Sequence, residues 1–500
     1  MRILFATMEV APFSKVGGLG DVSKALPQAL LRQDVAVTII TPWYRTLPER
    51  FPLFRSMRTV RETTLWLGAM PVPVAWRTPE GAVEGVELMF VDEPRFLSRS
   101  GPYCTGGDSP DYPQEPEASI LFAKAIADWV AHGERTYNIV HLNEHHTALA
   151  APLLRQADGG APPVMLTVHN FGHQGIYEPG VLPLLGLPLE WHHPGGPLEF
   201  YGKVNFLKAG IWFSDAVTTV SETYRQEVMT QYEYGRGLEG LMQTRADRFF
   251  GIINGVDDQE WSPRHSPHIA PHFSETRLWG KEKVKARLLA EVGMSYREPA
   301  TPLVAVILRL VEQKGIDLIL GVAERLLGHP ADLVVMGEGS LYYQRALREL
   351  EERHPAGCRV LTRYDEGLAH RITAAADIFL MPSRFEPCGL NQLYSLAFGT
   401  VPVVRHTGGL ADTVIDARYH PDIGTGFTFR DPTPQALWRA LSGALDAYRD
   451  RPRWRKMMRR GMREVYAWDA SARHYIALYQ SLAAPPVPAG VRSAAGTVAV

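Results

Sequence analysis

The sequence is poor in cysteine, has no long apolar run and carries almost no excess charge of either sign. Each shortage excludes something. Three cysteines in 500 residues (Cys104, Cys358 and Cys388) are odd in number and form no ligand-spaced pair. A disulfide framework and a structural zinc site are therefore not expected, and a reducing cytoplasm is the default compartment. No stretch approaches the roughly 18 apolar residues of a membrane span. The apolar run at the start is too short for a secretory signal and is broken by Glu9. Lys and Arg number 52 against 54 Asp and Glu, a formal net charge of −2. That near neutrality argues against a global pull on nucleic acid or on an anionic membrane. What is present is a globular balance, 45% hydrophobic and 21% charged. The chain is too long for one hydrophobic core, so two or three domains are expected.

Short β-rich apolar runs alternate with amphipathic stretches along the chain. The runs 3–6, 35–40, 86–91, 139–142, 164–168 and 216–220 read as strands in the first half. Val22, Ala25, Leu26, Ala29 and Leu30 fall on one face at helical spacing, and 118–130 continues similarly. In the second half, 303–307, 333–336, 378–381 and 401–404 read as strands, with helices near 317–327, 342–352 and 390–398. Near-continuous Val/Ile/Leu runs imply strands buried on both faces, hence parallel sheets covered by helices. Residues 254–300 change character, with Asn254-Gly-Val-Asp257 turn chemistry, the breaker Trp261-Ser-Pro263 and a Pro/His-rich stretch. The expected organisation is a first α/β domain over 1–253, a crossing over 254–300 and a second α/β domain over 301–483, its last helix a candidate to return to the first domain. A disordered tail is expected over 484–500. No internal repeat of short period is found. Two doubly wound domains facing each other place the carboxyl ends of both sheets across one cleft, where such folds bind ligands.

Five motifs can carry chemistry there. Ser14-Lys-Val-Gly-Gly-Leu-Gly-Asp21 lies between a strand and a helix. Its glycines let backbone N–H groups approach an anion and Lys15 adds a point charge, although a plain glycine connection with a solvated lysine fits equally. It is neither a P-loop nor Gly-x-Gly-x-x-Gly. In Arg309-Leu-Val-Glu-Gln-Lys-Gly315 a strand end is followed by two cations five residues apart. With Lys15 these could neutralise a diphosphate without a metal, or pair with surface carboxylates. Ser383-Arg-Phe-Glu-Pro-Cys-Gly-Leu-Asn391 puts Glu386 in a loop before a helix, where Gly389, Leu390 and Asn391 could offer N–H groups to a phosphate. Thr407-Gly-Gly-Leu-Ala-Asp412 is a further glycine turn, a ligand loop or a bend. His169-Asn170 ends a strand in the first half, a cleft histidine or a structural one. His141, His145 and His146 with Glu144 suggest metal, but His141 falls in a predicted strand, which spoils a shared helical ligand face. No Gly-x-Ser-x-Gly elbow supports serine hydrolysis.

Taken together, six ordered blocks over roughly residues 1–480 resemble the bacterial glycogen (starch) synthase family. They are Lys15–Asp21, His169-Asn170, Asn254–Asp257, Arg309 to Gly315, Arg384–Leu390 and Thr407–Thr413. The resemblance implies a retaining GT-B glycosyltransferase, two Rossmann-like domains facing across a deep cleft. It implies transfer of glucose from a nucleotide sugar, usually ADP-glucose, to the non-reducing end of an α-1,4-glucan such as glycogen. Arg309 and Lys314 are then the leaving-group stabilisers, Glu386 binds glucose hydroxyls and counters developing positive charge, and His169 approaches the glucose ring. Lys15, Gly17, Gly18, Asn254, Tyr364, Cys388, Gly389, Leu390 and Asn391 fall on the donor side. Glu9, Asp21, Glu144 and Asn170 fall on the acceptor or sugar side. No cofactor beyond the nucleotide sugar, no metal, no nucleic acid and no membrane are expected. The cleft is expected to close about the 254–300 crossing.

Several residues differ from the family pattern. Glu144-His-His146 stands where many relatives have Asp-Trp-His, Leu308 replaces a small polar residue and Asn391 a frequent Thr. Tyr394 occupies the position where related retaining transferases can hold a ribose with Glu. These changes bear on donor and acceptor preference. A UDP-sugar donor, another acceptor, or a catalytically silent glucan-binding protein are the alternatives.

Overall fold

The structure, a computed structural model, describes residues 1–81, 83–103, 116–157, 160–297, 301–464 and 466–484. The tail expected after Ala484 and Cys104 lie outside them.

The continuous apolar runs become strands because both of their faces are covered. Leu303–Ile307, for example, is at most 6% exposed at any residue, and each such large apolar side chain contributes about 1.5–3 kcal/mol on burial. Nine strands form the first sheet. In spatial order they are Phe249–Gly251, Ala216–Thr219, Val164–Val168, Ile139–Asn143, Arg2–Ala6, Ala36–Pro42, Glu87–Asp92, Met70–Pro79 and Met57–Leu67. The first seven are mutually parallel. Met70–Pro79 runs antiparallel to both neighbours, which corrects the expectation of purely parallel sheets. Buried and exposed residues alternate along this ribbon, as in Leu65, Trp66 and Leu67, so one face is wet. An antiparallel pair tolerates that; a helix-covered parallel strand does not. Gly68, at φ 62°, begins the two-residue turn that pairs Leu67 with Met70.

The second sheet is parallel throughout, in the order Cys358–Leu361, Asp332–Met336, Leu303–Ile307, Ile378–Met381, Val401–Arg405 and Phe427–Phe429. Strand order reverses beside the strand of each sheet that comes first in the chain, between Arg2–Ala6 and Ile139–Asn143 and between Leu303–Ile307 and Ile378–Met381. Loops leaving the carboxyl ends of adjacent strands diverge there and leave a crevice. The Ser14–Asp21, Arg309–Gly315 and Ser383–Asn391 loops follow strands that flank these reversals, while His169-Asn170 and Thr407–Asp412 follow the next strands out, Val164–Val168 and Val401–Arg405.

The chain passes between the lobes twice, side by side. Val256 N–H donates to Tyr466 C=O (2.6 Å), Val256 bridges Ala467 in parallel, and Ser471 Oγ donates to Ile253 C=O (2.7 Å). From Trp261 onward the segment read as a crossing packs into the second core through Trp261, Phe273, Val284 and Leu288. The Trp468–Ala483 helix lies against the Gly18–Leu31 helix and puts Tyr475 and Tyr479 into a cluster with Ile3, Phe5 and Val22. No helix among the described residues is long and apolar enough to cross a membrane.

Candidate active site

In the second lobe, the loops after Leu303–Ile307 and Ile378–Met381 are stitched together. Gln313 C=O accepts from Arg384 N–H (2.7 Å), and Gln313 Nε2 donates to Phe385 C=O (3.3 Å). Gly315, at φ 68°, lets the loop approach closely: a Cβ there would stand 2.3 Å from Pro382 O. This stitching brings Lys314 Nζ to 2.5 Å from Glu386 Oε2, with Ser383 Oγ donating to the same oxygen (3.0 Å). Both side chains of the ion pair are close to nine-tenths buried. Arg309 is exposed, and among the described residues its guanidinium has no hydrogen-bond or ion-pair partner. Arg384 instead pairs with Asp317 (2.6 Å).

The Glu386–Asn391 turn rests on the next glycine turn. Gly408, at φ 43°, would place a Cβ 2.1 Å from Glu386 O, and Gly409 N–H donates to Pro387 C=O (3.0 Å). Thr407–Gly409 is thus a bed for the Glu386 loop. Gly389 takes φ 71°, and Gln392 Nε2 donates to the Cys388 and Gly389 carbonyls (3.0 Å each). Asn391 Nδ2 donates to Ile307 C=O (2.7 Å), tying this turn to the strand before Arg309. Cys388 is buried, and burial pushes its thiol up to about 12. Asn254, 5% exposed, has a buried Oδ1 without a hydrogen-bond partner among the described residues. Tyr394 stacks flat on Trp261 (3.7 Å between centroids, 3° between planes) and forms packing rather than an open polar wall.

In the first lobe, Glu9 organises the glycine loop. Its Oε2 accepts from Val16 and Gly17 N–H (2.8 Å each), and its Oε1 accepts from Tyr103 OH (2.6 Å). Gly17 N–H is therefore engaged by a carboxylate, which narrows the expected phosphate contacts of this loop to Lys15 and Gly18. Lys15 Nζ sits 2.8 Å from Asp21 Oδ1 and 3.5 Å from Glu366 Oε1. Burial alone lowers its pKa, but the Asp21 and Glu366 carboxylates more than offset this and the net shift is upward.

Glu144 follows Ile139–Asn143 in a positive-φ conformation (63°) that a non-glycine residue adopts at a cost. Its Oε1 accepts from His169 and Asn170 N–H (2.7 and 3.1 Å), while its buried Oε2 has no partner among the described residues. Burial pushes Glu144 up to about 8. His169 Nε2 lies 3.0 Å from Asn143 Oδ1, and Asn143 Nδ2 donates to Ala6 C=O (3.1 Å). That fixes Asn143 Oδ1 as the acceptor and Nε2 as the protonated nitrogen of His169, leaving Nδ1 with a lone pair. Burial lowers His169 to about 4, so the ring is neutral at pH 7. Asn170 Oδ1 accepts from Gly172 N–H (2.9 Å) and shapes the following turn.

The two sets of loops meet. A Cβ on Gly18 would lie 3.6 Å from Leu390 Cδ1, and Lys15 reaches Glu366 from the other lobe. Tyr364, exposed, feels the charges of Glu366, Lys15 and Asp21. After burial, the Arg309 guanidinium is the second cause lowering His173, which puts it opposite the first lobe. Arg236 stacks over Phe385, 5.8 Å to the ring centroid. Farther along the same seam, Glu227 accepts from Thr407 Oγ1 (2.9 Å) and Gly408 N–H (3.1 Å), and Asp412 accepts from Ser221 Oγ (2.6 Å).

Sequence reasoning missed Tyr103, Asn143, Glu227, Glu366 and Ser383. Asn143, Ser383 and Glu366 had a local signal, as close neighbours of Glu144, Glu386 and Tyr364. His141 uses both ring nitrogens, on Tyr479 OH (2.7 Å) and Thr167 Oγ1 (2.6 Å). It is a packed structural histidine turned away from His145 and His146, which start a separate short helix.

Residues 2–244 match the family described as starch synthase catalytic domain, and residues 296–461 match glycosyl transferases group 1. The glycogen synthase of Anaeromyxobacter sp. (strain Fw109-5) is 45% identical over 97% of this chain and 100% of its own length. That of Anaeromyxobacter dehalogenans (strain 2CP-C) is 43% identical over the same shares. Among solved structures, the catalytic domain of starch synthase IV from Arabidopsis thaliana, bound to ADP and acarbose, superposes with a TM-score of 0.86. It is 31% identical, over 96% of this chain and 99% of that one. The paired sheets are thus the GT-B arrangement. With relatives this similar along nearly its whole length, the chain belongs to the glycogen and starch synthase family of glycosyltransferases.

Proposed function

We propose that the enzyme lengthens an α-1,4-glucan by transferring glucose from ADP-glucose to its non-reducing end, with retention of the anomeric configuration. The observation that carries this reading is the meeting of Lys314, Glu386 and the unpaired Arg309 at one switch point with the Lys15–Gly18 loop at the other. Support for the substrates comes from the relatives: two are glycogen synthases, and the Arabidopsis structure holds ADP and acarbose.

Breaking a glycosyl–phosphate bond builds negative charge on the departing diphosphate and positive charge on the sugar. Fixed cations lower that barrier because they need no reorganisation as the charge develops. Arg309 and Lys314 meet the diphosphate, with Lys15 and the Gly18 backbone closing from the other lobe. The Gly389–Asn391 turn and Asn254 border the donor, and the exposed Tyr364 ring offers a face for the base. These cations supply the charge a metal would bring, so the reaction proceeds without metal or cofactor. Glu386 binds glucose hydroxyls and opposes the sugar's developing positive charge. His169, neutral with a free Nδ1, accepts a hydrogen bond from a sugar hydroxyl. Glu9, Asp21, Glu144 and Asn170 hold the sugar-side loops in shape.

Retention by a covalent carboxylate intermediate needs a free nucleophile. Glu386 is ion-paired to Lys314, and Glu144 is held near its protonated form with one oxygen on two amides. Same-face attack guided by the leaving phosphate fits this arrangement better. A cytoplasmic location accords with the free, buried Cys358 and Cys388.

The test is a nucleotide-sugar screen against a glycogen primer, reading nucleoside diphosphate release. ADP-glucose is expected to give the highest turnover. Higher turnover with UDP-glucose reassigns the donor, and tight glucan binding with no release from any donor overturns the enzymatic reading of the site.

A further inference from the structure

The Glu222–Thr230 helix of the first lobe and the Gly408–Thr413 helix of the second pack against each other across the seam. The first N–H groups of a helix lack partners within it, and here each helix has that need met from the other lobe. Thr407 stands at the N-cap of its helix, yet its side chain caps nothing there. Its Oγ1 donates to Glu227 Oε1 (2.9 Å) and lies 3.0 Å from Tyr234 OH. Gly408 N–H donates to the other Glu227 oxygen (3.1 Å). In return Asp412 accepts from Thr223 N–H (3.2 Å), from the Thr223 hydroxyl and from Ser221 Oγ (2.6 Å). Ser221 is the N-cap of the first-lobe helix and itself accepts from Tyr224 N–H (2.9 Å). Each helix therefore sends a carboxylate from its later part to the start of the other, so the two run antiparallel and the exchange is reciprocal.

The exchange reaches the catalytic loop. Gly408 lies against the Glu386 carbonyl so closely that a Cβ would stand 2.1 Å from it. Gly409 N–H donates to Glu386 C=O (3.3 Å) and Pro387 C=O (3.0 Å). At the end of the same helix Thr413 Oγ1 accepts from Gln392 Nε2 (3.3 Å), the group that also holds the Cys388 and Gly389 carbonyls. The second lobe supplies the bed under Glu386, but the hydroxyl and the amide that begin the bed are anchored on a side chain of the first lobe. Thr407, Gly408 and Glu227 are all buried, and a buried N–H that loses its acceptor costs more than the hydrogen bond itself contributed.

We propose that Glu227 and Asp412 are positioning residues for the transfer reaction, two halves of a clasp through which the first lobe holds the bed beneath Glu386. The catalytic loop is then set in place only while the lobes meet, and the proposal rests on the glucosyl-transfer reading of the cleft. Glu227→Ala leaves Gly408 N–H without an acceptor. Glu227→Gln does not, because its amide oxygen accepts from Gly408 and its amide nitrogen donates to Thr407 Oγ1. Asp412→Ala opens the other half.

The test measures kcat for ADP release with saturating ADP-glucose and glycogen, beside urea midpoints of the same proteins. Glu227→Ala is expected to lower kcat about tenfold or more, the loss of one charged hydrogen bond, and Glu227→Gln to restore most of it. Asp412→Ala is also expected to lower kcat. The double variant Glu227→Ala with Asp412→Ala should lose less than the product of the two single losses, because opening either half undoes the other. A Glu227 that served the fold alone would shift the urea midpoint and leave the kcat of the folded enzyme as it was. Unchanged kcat in Glu227→Ala, no recovery in Glu227→Gln, or single losses that simply multiply overturn the proposal. Should Glu227→Ala fail to fold, Asp412→Ala decides, a fall in kcat supporting the clasp and the parent value refuting it. A parent that releases a different nucleoside diphosphate changes the donor and leaves the same comparison to be made with it, whereas a parent silent with every donor overturns the transfer reading and this proposal with it.

Discussion

Replacing Lys314 by methionine separates two roles that the structure gives one side chain. Lys314 neutralises Glu386 at 2.5 Å, with 13% and 10% of the two side chains exposed. Removing one member of a buried pair costs about 3–5 kcal/mol, because the other charge is left uncompensated. Here Ser383 still donates to Glu386, so about 2–3 kcal/mol of stability is the expected loss. The effect on catalysis is separate. A fixed donor to a developing anion is worth about 2.7–4 kcal/mol, so kcat should fall about 100- to 1,000-fold. The double variant Lys314→Met with Glu386→Gln removes both charges. It should regain most of the lost stability and none of the lost activity. Urea midpoints followed by tryptophan fluorescence give the first quantity, and ADP release with saturating glycogen gives the second. If the double variant is no more stable than the single one, the ion pair does not couple the loops. If Lys314→Met keeps kcat within about tenfold, Lys314 is not a leaving-group stabiliser.

Two further outcomes follow from the seam between the lobes. Gly408→Ala puts a Cβ into the Glu386 carbonyl at a φ of 43°, so Tm and kcat should fall together, by about 2 kcal/mol or more in stability; an unchanged kcat would separate the glycine bed from the site. Burial pushes Glu227 up to about 7 from an ordinary 4.5. A carboxyl raised in the folded state gives stability that is complete below about pH 4.5 and lost as pH climbs through about 7, at most about 3 kcal/mol. Urea midpoints at pH 5 and pH 8 should therefore differ less in Glu227→Gln than in the parent, and equal differences would show that Glu227 does not titrate there.

The strands and the motif order were legible because each is written locally. Leu303–Ile307 and Ile378–Met381 are unbroken apolar runs, and burial on both faces is the only way to satisfy them. The Met57–Pro79 ribbon was not legible. Pro71 and Pro73 interrupt its second strand, and threonines and charges dilute its alternation. In the site, Lys314 and Glu386 were named from their loops, but their direct pairing was not, since 72 residues separate them. The same holds for Glu9, whose carboxylate faces back onto its own loop rather than outward. Glu227 and Thr407, 180 residues apart, carry no mutual signal in a single sequence. Contacts across the seam depend on how the lobes dock, and only the folded chain records that.

The paired passages near Val256 and Tyr466 also set what kind of joint this protein has. A lobe hung on a single strand can swivel freely, whereas two strands bonded to each other at the junction behave as a pinned axle. Twisting about any other direction would tear the Val256–Tyr466 bond or drive Gly255 into Trp468, whose backbone nitrogen would lie 2.5 Å from a Cβ there. Any change in the angle between the lobes therefore has to carry both passages together.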